Sequence, residues 1–355
     1  LAASLGMTPR DIARTLERPM LREVLPGAFL VIFLICLTSF AVALALGGGP
    51  RATTVELAIY QAFRFDFDLN RAALLSIVQI VLTGAAALIA FKTSQHDALG
   101  GGLDRPVERW DTQSAVARTL DIAIIAMASL FLVLPLAAIV LAGLPKIFVL
   151  PHVVYMSAFT SILVSLGSTC LLLAMAIPMA LAAATRRFAW IDMVGLLGLA
   201  TSPLVIGTGL FLLINPVLDP FLLALPVTAL VNAMLALPFA LRILVPSARD
   251  EVAQFGRLGL TLNLQGWRFF RLVLLPRMRS QIGFAAGLTA ALSVGDLGVI
   301  VLFADPERAT LPLQIFRLMG SFQMQAAAGA ALLLLVLSLA IFWLLDRGWR
   351  FYVKN

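Results

Sequence analysis

Charge is scarce in this chain. Only 13% of its 355 residues are Asp, Glu, Lys or Arg, against about a quarter in soluble domains. Apolar residues make up 61%, and several runs exceed the roughly 18 residues that a helix needs to cross a bilayer. These runs lack the strict alternation of apolar and polar residues that is typical of a membrane barrel. The composition therefore excludes an ordinary soluble domain and predicts an all-α, polytopic transmembrane protein.

Cysteine and histidine are nearly absent, with two residues of each type. Cys36 and Cys170 lie inside separate apolar runs and are interpreted as packing residues, not as a disulfide framework. His96 and His152 fall on opposite sides of the membrane in the topology predicted below, which argues against a shared metal site. The glycine run 47–49 lacks the Gly-Lys-Ser/Thr of a phosphate-binding loop. We therefore expect no catalytic centre, metal or cofactor in this chain.

Eight apolar runs are long enough to be predicted spans. Their approximate bounds are 24–46, 71–91, 118–142, 158–184, 191–214, 221–245, 281–303 and 326–345. The polar stretch 92–117 is interpreted as a linker, which divides the chain into part of a first unit (1–91) and a second unit of six spans (118–355). Residues 144–157 are predicted to form an amphipathic segment at the membrane interface.

The distribution of Lys and Arg predicts the orientation. If residues 1–23 face the cytoplasm, 20 of the 26 basic residues lie on the cytoplasmic side and six on the other. Basic residues concentrate in the cytoplasmic loops of membrane proteins. The loop 246–280 and the C-terminus are therefore predicted to be cytoplasmic. These loops also account for the net charge of +7, so a nucleic-acid partner is not expected.

A pattern near the start of the chain returns 257 residues later. Pro19 follows Gly6 by thirteen positions, and Pro276 follows Asn263 by the same interval. A fixed offset indicates two homologous units joined in one chain. Asn tolerates a positive φ better than most residues, so Asn263 is predicted to end a helix in the left-handed conformation.

The loop 246–280 is predicted to project a short helix from the membrane. Trp267, Phe270 and Leu274 have the i, i+3, i+7 spacing of one apolar face, and Arg268 and Arg271 share another face. Such a helix fits docking into a groove of another protein. A solvated loop is the alternative for any single loop, but the repeated copy favours docking.

These motifs resemble the EAA loop of permease subunits of binding-protein-dependent ABC importers, roughly Glu-Ala-Ala-x-x-Leu-Gly followed by a proline-terminated helix. Ala2, Ala3 and Gly6 fall in this motif, and its glutamate would precede residue 1, so further spans are expected before the chain begins. The second copy is degenerate, with Asn263 in place of the glycine. The run 46–56, Leu-Gly-Gly-Gly-Pro-Arg-Ala-Thr-Thr-Val-Glu, resembles the thiamine-transport permeases, fused double permeases similar to the iron(III) permeases.

The resemblance implies the type I ABC importer permease fold in a bacterial inner membrane. It also implies two partners, an ATPase dimer on the cytoplasmic side and a periplasmic substrate-binding protein. ATP would be hydrolysed by the separate ATPase chain, and this chain would bind no cofactor. The residues expected to couple to the ATPase are Ala2, Ala3, Gly6, Pro19, Asn263, Trp267 and Pro276.

Thiamine or its phosphates are the expected substrate, with iron(III) or a polyamine as alternatives. A passive channel would not need a docking helix in each repeat. An intramembrane enzyme should show paired Asp, Ser/His or His-rich clusters, and the sequence shows none. Both of these classes are therefore less favoured than an importer permease.

Asp296, Ser39 and Asn232 are the candidate residues of a translocation path. A carboxylate in a span costs about 2.5–3.5 kcal/mol on insertion scales and usually faces a cavity or a partner. Asp296 either lines the path of a cation or takes part in a helix–helix hydrogen bond helped by Ser293. Ser39 is the equivalent position in the first unit, and Asn232 fits either an interhelical hydrogen bond or the path.

A cluster of aromatic residues follows the first predicted span. Tyr60, Phe63, Phe65 and Phe67 lie in a segment, running to about residue 70, that is predicted to face the outside. Two interpretations remain open for this cluster: contact with the binding protein, or a packed re-entrant segment.

Overall fold

Helices make up the regular structure of the chain. The computed structural model describes residues 9–47, 53–93, 115–184, 198, 201–264, 266–303 and 309–350, and no strand occurs among them. Five helices are long and apolar enough to cross a membrane, over residues 69–89, 118–143, 152–184, 224–261 and 324–349. The polytopic helical class is therefore confirmed, whereas the predicted count of eight spans is not.

The first unit contains five described helices. They are α1 (Pro9–Ile12), α2 (Arg18–Leu37), α3 (Ala41–Leu46), α4 (Val55–Arg64) and α5 (Leu69–Thr93), with a π-helical turn, Ala13–Glu17, between α1 and α2.

The second unit begins with α6 and ends with α14. Its helices are α6 (Ala115–Gly143), α7 (His152–Ala184), α8 (Pro203–Ile214), α9 (Ala224–Thr261), α10 (Trp267–Phe269), α11 (Leu275–Arg277), α12 (Arg279–Val294), α13 (Leu311–Gly320) and α14 (Met324–Arg350). A 3-10 turn, Ile147–Val149, precedes α7, and a π-helical turn, Phe270–Leu274, joins α10 to α11.

Two predicted spans are broken helices. The span predicted at 24–46 ends as α2 at Leu37, where the Thr38 hydroxyl donates to the carbonyl of Leu34 at 2.9 Å. Threonine that bonds back onto its own helix competes with helix continuation. The span predicted at 281–303 ends as α12 at Val294. The two breaks are equivalent positions of the repeat, because Thr38 and Gly295 cap their helices at the offset of 257 residues.

A short helix, α4 in the first unit and α13 in the second, precedes the next long helix, and the sequence analysis missed both. Thr54 caps the start of α4, and its side chain accepts a hydrogen bond from the Leu57 amide at 3.2 Å. α13 begins after Thr310, and the Leu311 amide donates to Ser161 of α7 at 2.8 Å. In the predicted aromatic cluster, Tyr60 and Phe63 are packed and buried, whereas Phe65 and Phe67 are exposed.

Helix α9 is longer than the span predicted at 221–245. It runs for 38 residues from Ala224 to Thr261 and so includes the first half of the predicted loop 246–280. The predicted interfacial segment 144–157 is also only partly correct, because α7 already begins at His152. Pro151 lies just before this helix start, where the missing proline amide costs no helical hydrogen bond.

The two units share a hydrophobic core, which we call the seam cluster. Its buried residues from the first unit are Phe40, Leu57, Tyr60, Ala62, Phe63 and Ala72. Those from the second unit are Leu204, Phe211, Ala224, Val227, Val231, Leu297, Val299, Ile300, Val301, Leu302, Phe303, Ala309 and Leu313. The Phe63 and Phe211 rings cross edge to face with centroids 4.7 Å apart, and the Phe303 ring centroid lies 5.6 Å from that of Phe211. Residues that follow both helix breaks therefore meet in one core.

Candidate functional site

The end of α9 has the geometry predicted for Asn263. Asn263 has a φ of 53°, and its amide donates to the carbonyl of Leu260 at 3.2 Å. The Leu264 amide donates to the carbonyl of Gly259 at 2.8 Å. These two hydrogen bonds form a Schellman motif, in which the left-handed residue is usually glycine or asparagine. The left-handed conformation is less costly for Asn than for other residues with a Cβ.

The short helix predicted after the Asn263 cap is present, but its apolar face differs from the prediction. Trp267 and Phe270 do contact each other, with ring centroids 5.1 Å apart. Leu274 does not lie on the same surface, because it is 3% exposed while Trp267 is 70% exposed. The π-helical turn at 270–274 adds a residue per turn and shifts the register that an α-helical spacing assumes.

The outer surface of this loop carries large apolar side chains beside the exposed Arg257, Arg268 and Arg271. Its exposed large side chains come from the end of α9, the cap and the short helices: Leu258, Leu260, Leu262, Trp267 and Leu272. Contiguous exposed apolar residues mark sites of interaction with a protein or a membrane.

The short helices are held against α9 on their inner side. A Cβ placed on Gly259 would lie 2.8 Å from the Phe269 ring, so only glycine permits this approach. The Arg277 guanidinium lies 3.7 Å from the centre of the Phe255 ring, and its Nε is 3.8 Å from the Glu251 carboxylate. Pro276 lies in the first turn of α11, where proline is well tolerated.

The first unit repeats this arrangement at its own loop. The π-helical turn Ala13–Glu17 lies 257 residues before the turn Phe270–Leu274, and Pro19 in the first turn of α2 matches Pro276 in α11. Pro19 is exposed. The predicted coupling residues Ala2, Ala3 and Gly6 lie outside the described residues.

Helices α4 and α8 run in the same direction. Ser202, which caps α8, approaches the carboxylate of Glu56 near the start of α4, and Phe63 meets Phe211 near the ends of the two helices. α8 leads through the turn 215–223 into α9. Both helices therefore point to the end of the bundle where α9 begins, which is opposite to the Asn263 loop.

The two loops lie at the same end of the bundle. α5 is antiparallel to α4, because Gln79, ten residues into α5, donates a hydrogen bond to Glu56 at the start of α4. α5 therefore runs back toward the end of the bundle that holds the Asn263 loop. α2 is antiparallel to α5: Gln79 also donates to the carbonyl of Leu37, while Leu34 packs on Ala86. The start of α2, with Pro19, consequently lies at the end of the Asn263 loop.

The three predicted pathway residues lie at or beside the helix breaks. The Ser39 amide donates to the carbonyl of Cys36 at 3.3 Å, just past the end of α2. The Asn232 side chain in α9 donates to Ser293 Oγ in α12 at 3.0 Å. The Asp296 carboxylate accepts from the Gly298 amide at 3.3 Å through Oδ1. Asp296 Oδ2 is buried and has no hydrogen-bond partner among the residues described.

Glu56 is a buried carboxylate that the sequence analysis did not single out. It is fully buried at the boundary between the units, where Gln79 Nε2 donates to its Oε1 at 3.0 Å. The sequence did carry a signal: Glu56, Tyr60 and Phe63 have the i, i+4, i+7 spacing of one helix face. A helix predicted over α4 would have placed this carboxylate beside the aromatic residues.

No family model matches the chain, but its sequence is similar to several transport proteins. It is 39% identical over 98% of its length to the thiamine transport system permease protein ThiP of Brucella abortus strain 2308, of which it covers 65%. It is 34% identical over 98% of its length to the protein of the same name from Escherichia coli K12, of which it covers 66%. The sulfate transport system permease protein CysW of Escherichia coli K12 is 31% identical over 35% of this chain.

Proposed function

Because the chain belongs to the family of the thiamine transport system permease proteins, we propose that it forms the membrane path of an ATP-driven importer. The substrate is thiamine or one of its phosphates, delivered by a periplasmic substrate-binding protein across a bacterial inner membrane. The chain spans about 65% of the length of the relatives it matches. The activity, the substrate and the partners of the whole assembly are therefore part of this proposal.

One observation carries this proposal. Two loops with a π-helical turn and a following proline repeat at an offset of 257 residues and lie at the same end of the bundle. The second loop presents Trp267 and Leu272 outward while its inner side is fixed to α9. This arrangement supports docking of one ATPase subunit at each loop. In the first loop the contact would extend to Ala2, Ala3 and Gly6.

Helix α9 is suited to transmit movement from the loop to the core between the units. It is continuous for 38 residues, or about 57 Å at roughly 1.5 Å per residue. Phe269 and Arg277 attach the docking helix to its lower part, while Ala224, Val227 and Val231 at its upper part belong to the seam cluster. A rigid displacement of the loop by the ATPase would therefore move one side of the seam, as alternating access requires.

The substrate path is proposed to follow the helix breaks. Backbone groups without helical partners occur in membranes only where they are buried in protein or line a cavity. The breaks place Ser39 and Asp296 at equivalent positions of the two units, with Asn232 beside the second break. Asp296 Oδ2 offers a buried acceptor that a cationic substrate could occupy.

The orientation follows from the charges of the loops. The Asn263 loop and the C-terminal end of α14 lie together, since Trp349 packs against Gly283 close to the start of α12. With the basic loops on the inside, this end faces the cytoplasm and the opposite end receives the binding protein. The chain hydrolyses no ATP and binds no cofactor in this proposal, because the separate ATPase chain supplies the nucleotide chemistry.

Reconstituted uptake tests the proposal. The full-length permease is purified with its ATPase and binding-protein subunits and inserted into liposomes, and uptake of labelled thiamine is compared with uptake of labelled iron(III). We expect ATP-dependent thiamine uptake and stimulation of the ATPase by thiamine-loaded binding protein. Uptake of iron(III) in preference to thiamine would contradict the substrate, and thiamine flux that is independent of ATP would contradict the importer mechanism.

A further inference from the structure

Two phenylalanines hold a backbone conformation that is unfavourable for a residue with a side chain. Phe67 has a φ of 51° and Phe322 a φ of 58°. Asn263 is the third described non-glycine residue with a positive φ, and Asn is one of the types expected there. Glycine or asparagine usually occupies such positions after a helix. Phenylalanine therefore costs folding free energy that glycine would not cost at these two positions.

The two phenylalanines lie in corresponding turns of the two units, each between a short helix and the long helix that follows it. Phe67 lies in the turn between α4 and α5, two residues before α5 begins. Phe322 lies in the turn between α13 and α14, two residues before α14 begins. In each turn the next amide closes back onto the preceding helix, from Asp68 to Ala62 and from Gln323 to Leu318, both at 2.9 Å. A phenylalanine with a positive φ two residues before the next long helix occurs in both units, which indicates a shared requirement.

Burial does not explain these side chains. Phe67 is 78% exposed and Phe322 is 87% exposed. Tyr60 and Phe63 on the preceding helix are each 6% exposed and belong to the seam cluster. The aromatic rings that stabilise the fold are thus distinct from Phe67 and Phe322, whose rings lie on the surface of the described part of the chain.

The surroundings of Phe67 favour a protein partner over lipid. Asp66 and Asp68 flank it, and Asp66 forms an exposed ion pair with Arg71 at 3.2 Å. An exposed aromatic ring within a polar, charged rim has the anatomy of a protein–protein contact. Two carboxylates beside the ring disfavour insertion into acyl chains or against anionic headgroups.

The position of the turn identifies the partner. α4 packs on α8 of the other unit, so the turn after α4 lies at the seam, at the end of the bundle opposite to the Asn263 loop. The turn after α13 lies at the same end, because Leu318 of α13 shares a buried cluster with Leu150 and Val154 at the start of α7. We propose that Phe67 and Phe322 are the two anchor contacts for the soluble substrate-binding protein, one from each unit. This inference rests on the proposed function, in which that protein delivers its substrate at this end.

The double variant Phe67→Gly/Phe322→Gly tests the inference. Glycine suits both backbone conformations, so the variant should unfold at the same temperature as the unsubstituted protein or at a higher one. In the full transporter, we expect the concentration of thiamine-loaded binding protein that half-stimulates the ATPase to rise at least about 10-fold, with basal ATPase activity unchanged. Phe148→Ala is the control, because Phe148 is 89% exposed at the same end of the bundle; it should leave the half-stimulating concentration unchanged.

The outcomes separate this inference from the function on which it rests. A half-stimulating concentration within about two-fold of the unsubstituted value would overturn the docking role and leave the importer intact. A lower unfolding temperature in the double variant would show that the rings serve the fold, and a defect seen in liposomes but not in detergent would show that they serve as lipid anchors. Failure of the unsubstituted transporter to respond to any loaded binding protein would overturn the proposed function together with the inference.

Discussion

Gln79 of α5 donates a hydrogen bond to the buried carboxylate of Glu56 at 3.0 Å and, with the same nitrogen, to the carbonyl of Leu37 at 3.2 Å. One amide group thus joins α5 to the start of α4 and to the end of α2. Ser202 of the second unit approaches the same carboxylate. The carboxylate at the boundary between the units is therefore held by a glutamine that belongs to neither helix break.

Replacing this glutamine should destabilise the protein. Gln79→Ala removes the donor and leaves the Glu56 carboxylate buried without it, which costs about 1–3 kcal/mol. We expect a lower unfolding temperature for the purified protein in detergent. Gln325→Ala is the matched control, because Gln325 is an exposed helical glutamine of α14. Equal unfolding temperatures for the two variants would contradict the structural importance of the pair.

Gly259 should tolerate no side chain while the docking helix is in place. In Gly259→Ala the new Cβ would lie 2.8 Å from the Phe269 ring, and crowding of this kind typically costs about 1–3 kcal/mol. We expect stimulation of the ATPase by loaded binding protein to fall, because the docking helix is displaced from α9. In Gly256→Ala, three residues earlier, the Cβ would meet Val252 at an ordinary 3.7 Å, so coupling should be retained. Normal coupling in Gly259→Ala would show that this close contact does not transmit force.

The left-handed backbone at Asn263 predicts opposite effects for two substitutions. Asn263→Gly should leave the unfolding temperature unchanged or raise it, since glycine has no Cβ to strain. Asn263→Val should lower stability by about 1–2 kcal/mol, because its branched Cβ crowds the carbonyl oxygen. Leu262→Val is the control, at a neighbouring residue whose φ is −90°. If Asn263→Val had the same unfolding temperature as Leu262→Val, the left-handed backbone at Asn263 would not contribute to stability.

Asp296→Asn tests whether charge at the second helix break serves transport. The amide keeps an oxygen that can accept from the Gly298 amide but removes the negative charge. We expect thiamine uptake to fall by about 10-fold or more while the permease still assembles with its ATPase, because a cation loses its buried partner. Asp219→Asn, in an exposed turn where Asp219 caps the Phe221 amide at 3.0 Å, should transport normally. Full uptake by Asp296→Asn would assign Asp296 to the structure of the break alone.

The sequence by itself determined the parts of this protein that depend on local chemistry. Apolar runs longer than a bilayer predicted α5, α6 and α14 closely, because length and hydropathy suffice for a helix in lipid. The repeated interval to Pro19 and Pro276 predicted two equivalent loops, and Asn263 predicted a left-handed cap because few other residues tolerate that backbone.

The tertiary structure decided what depends on partners distant in sequence. Glu56 is paired by Gln79, 23 residues away, and the start of α13 is capped by Ser161, 150 residues away. Because of the π-helical turn 270–274, Leu274 is buried while Trp267 is exposed, although their spacing predicted that both lie on one helix face. A prediction from sequence periodicity assumes a regular helix in uniform surroundings. These features occur instead where a helix ends, where its pitch changes, or where a polar side chain forms a hydrogen bond with another helix.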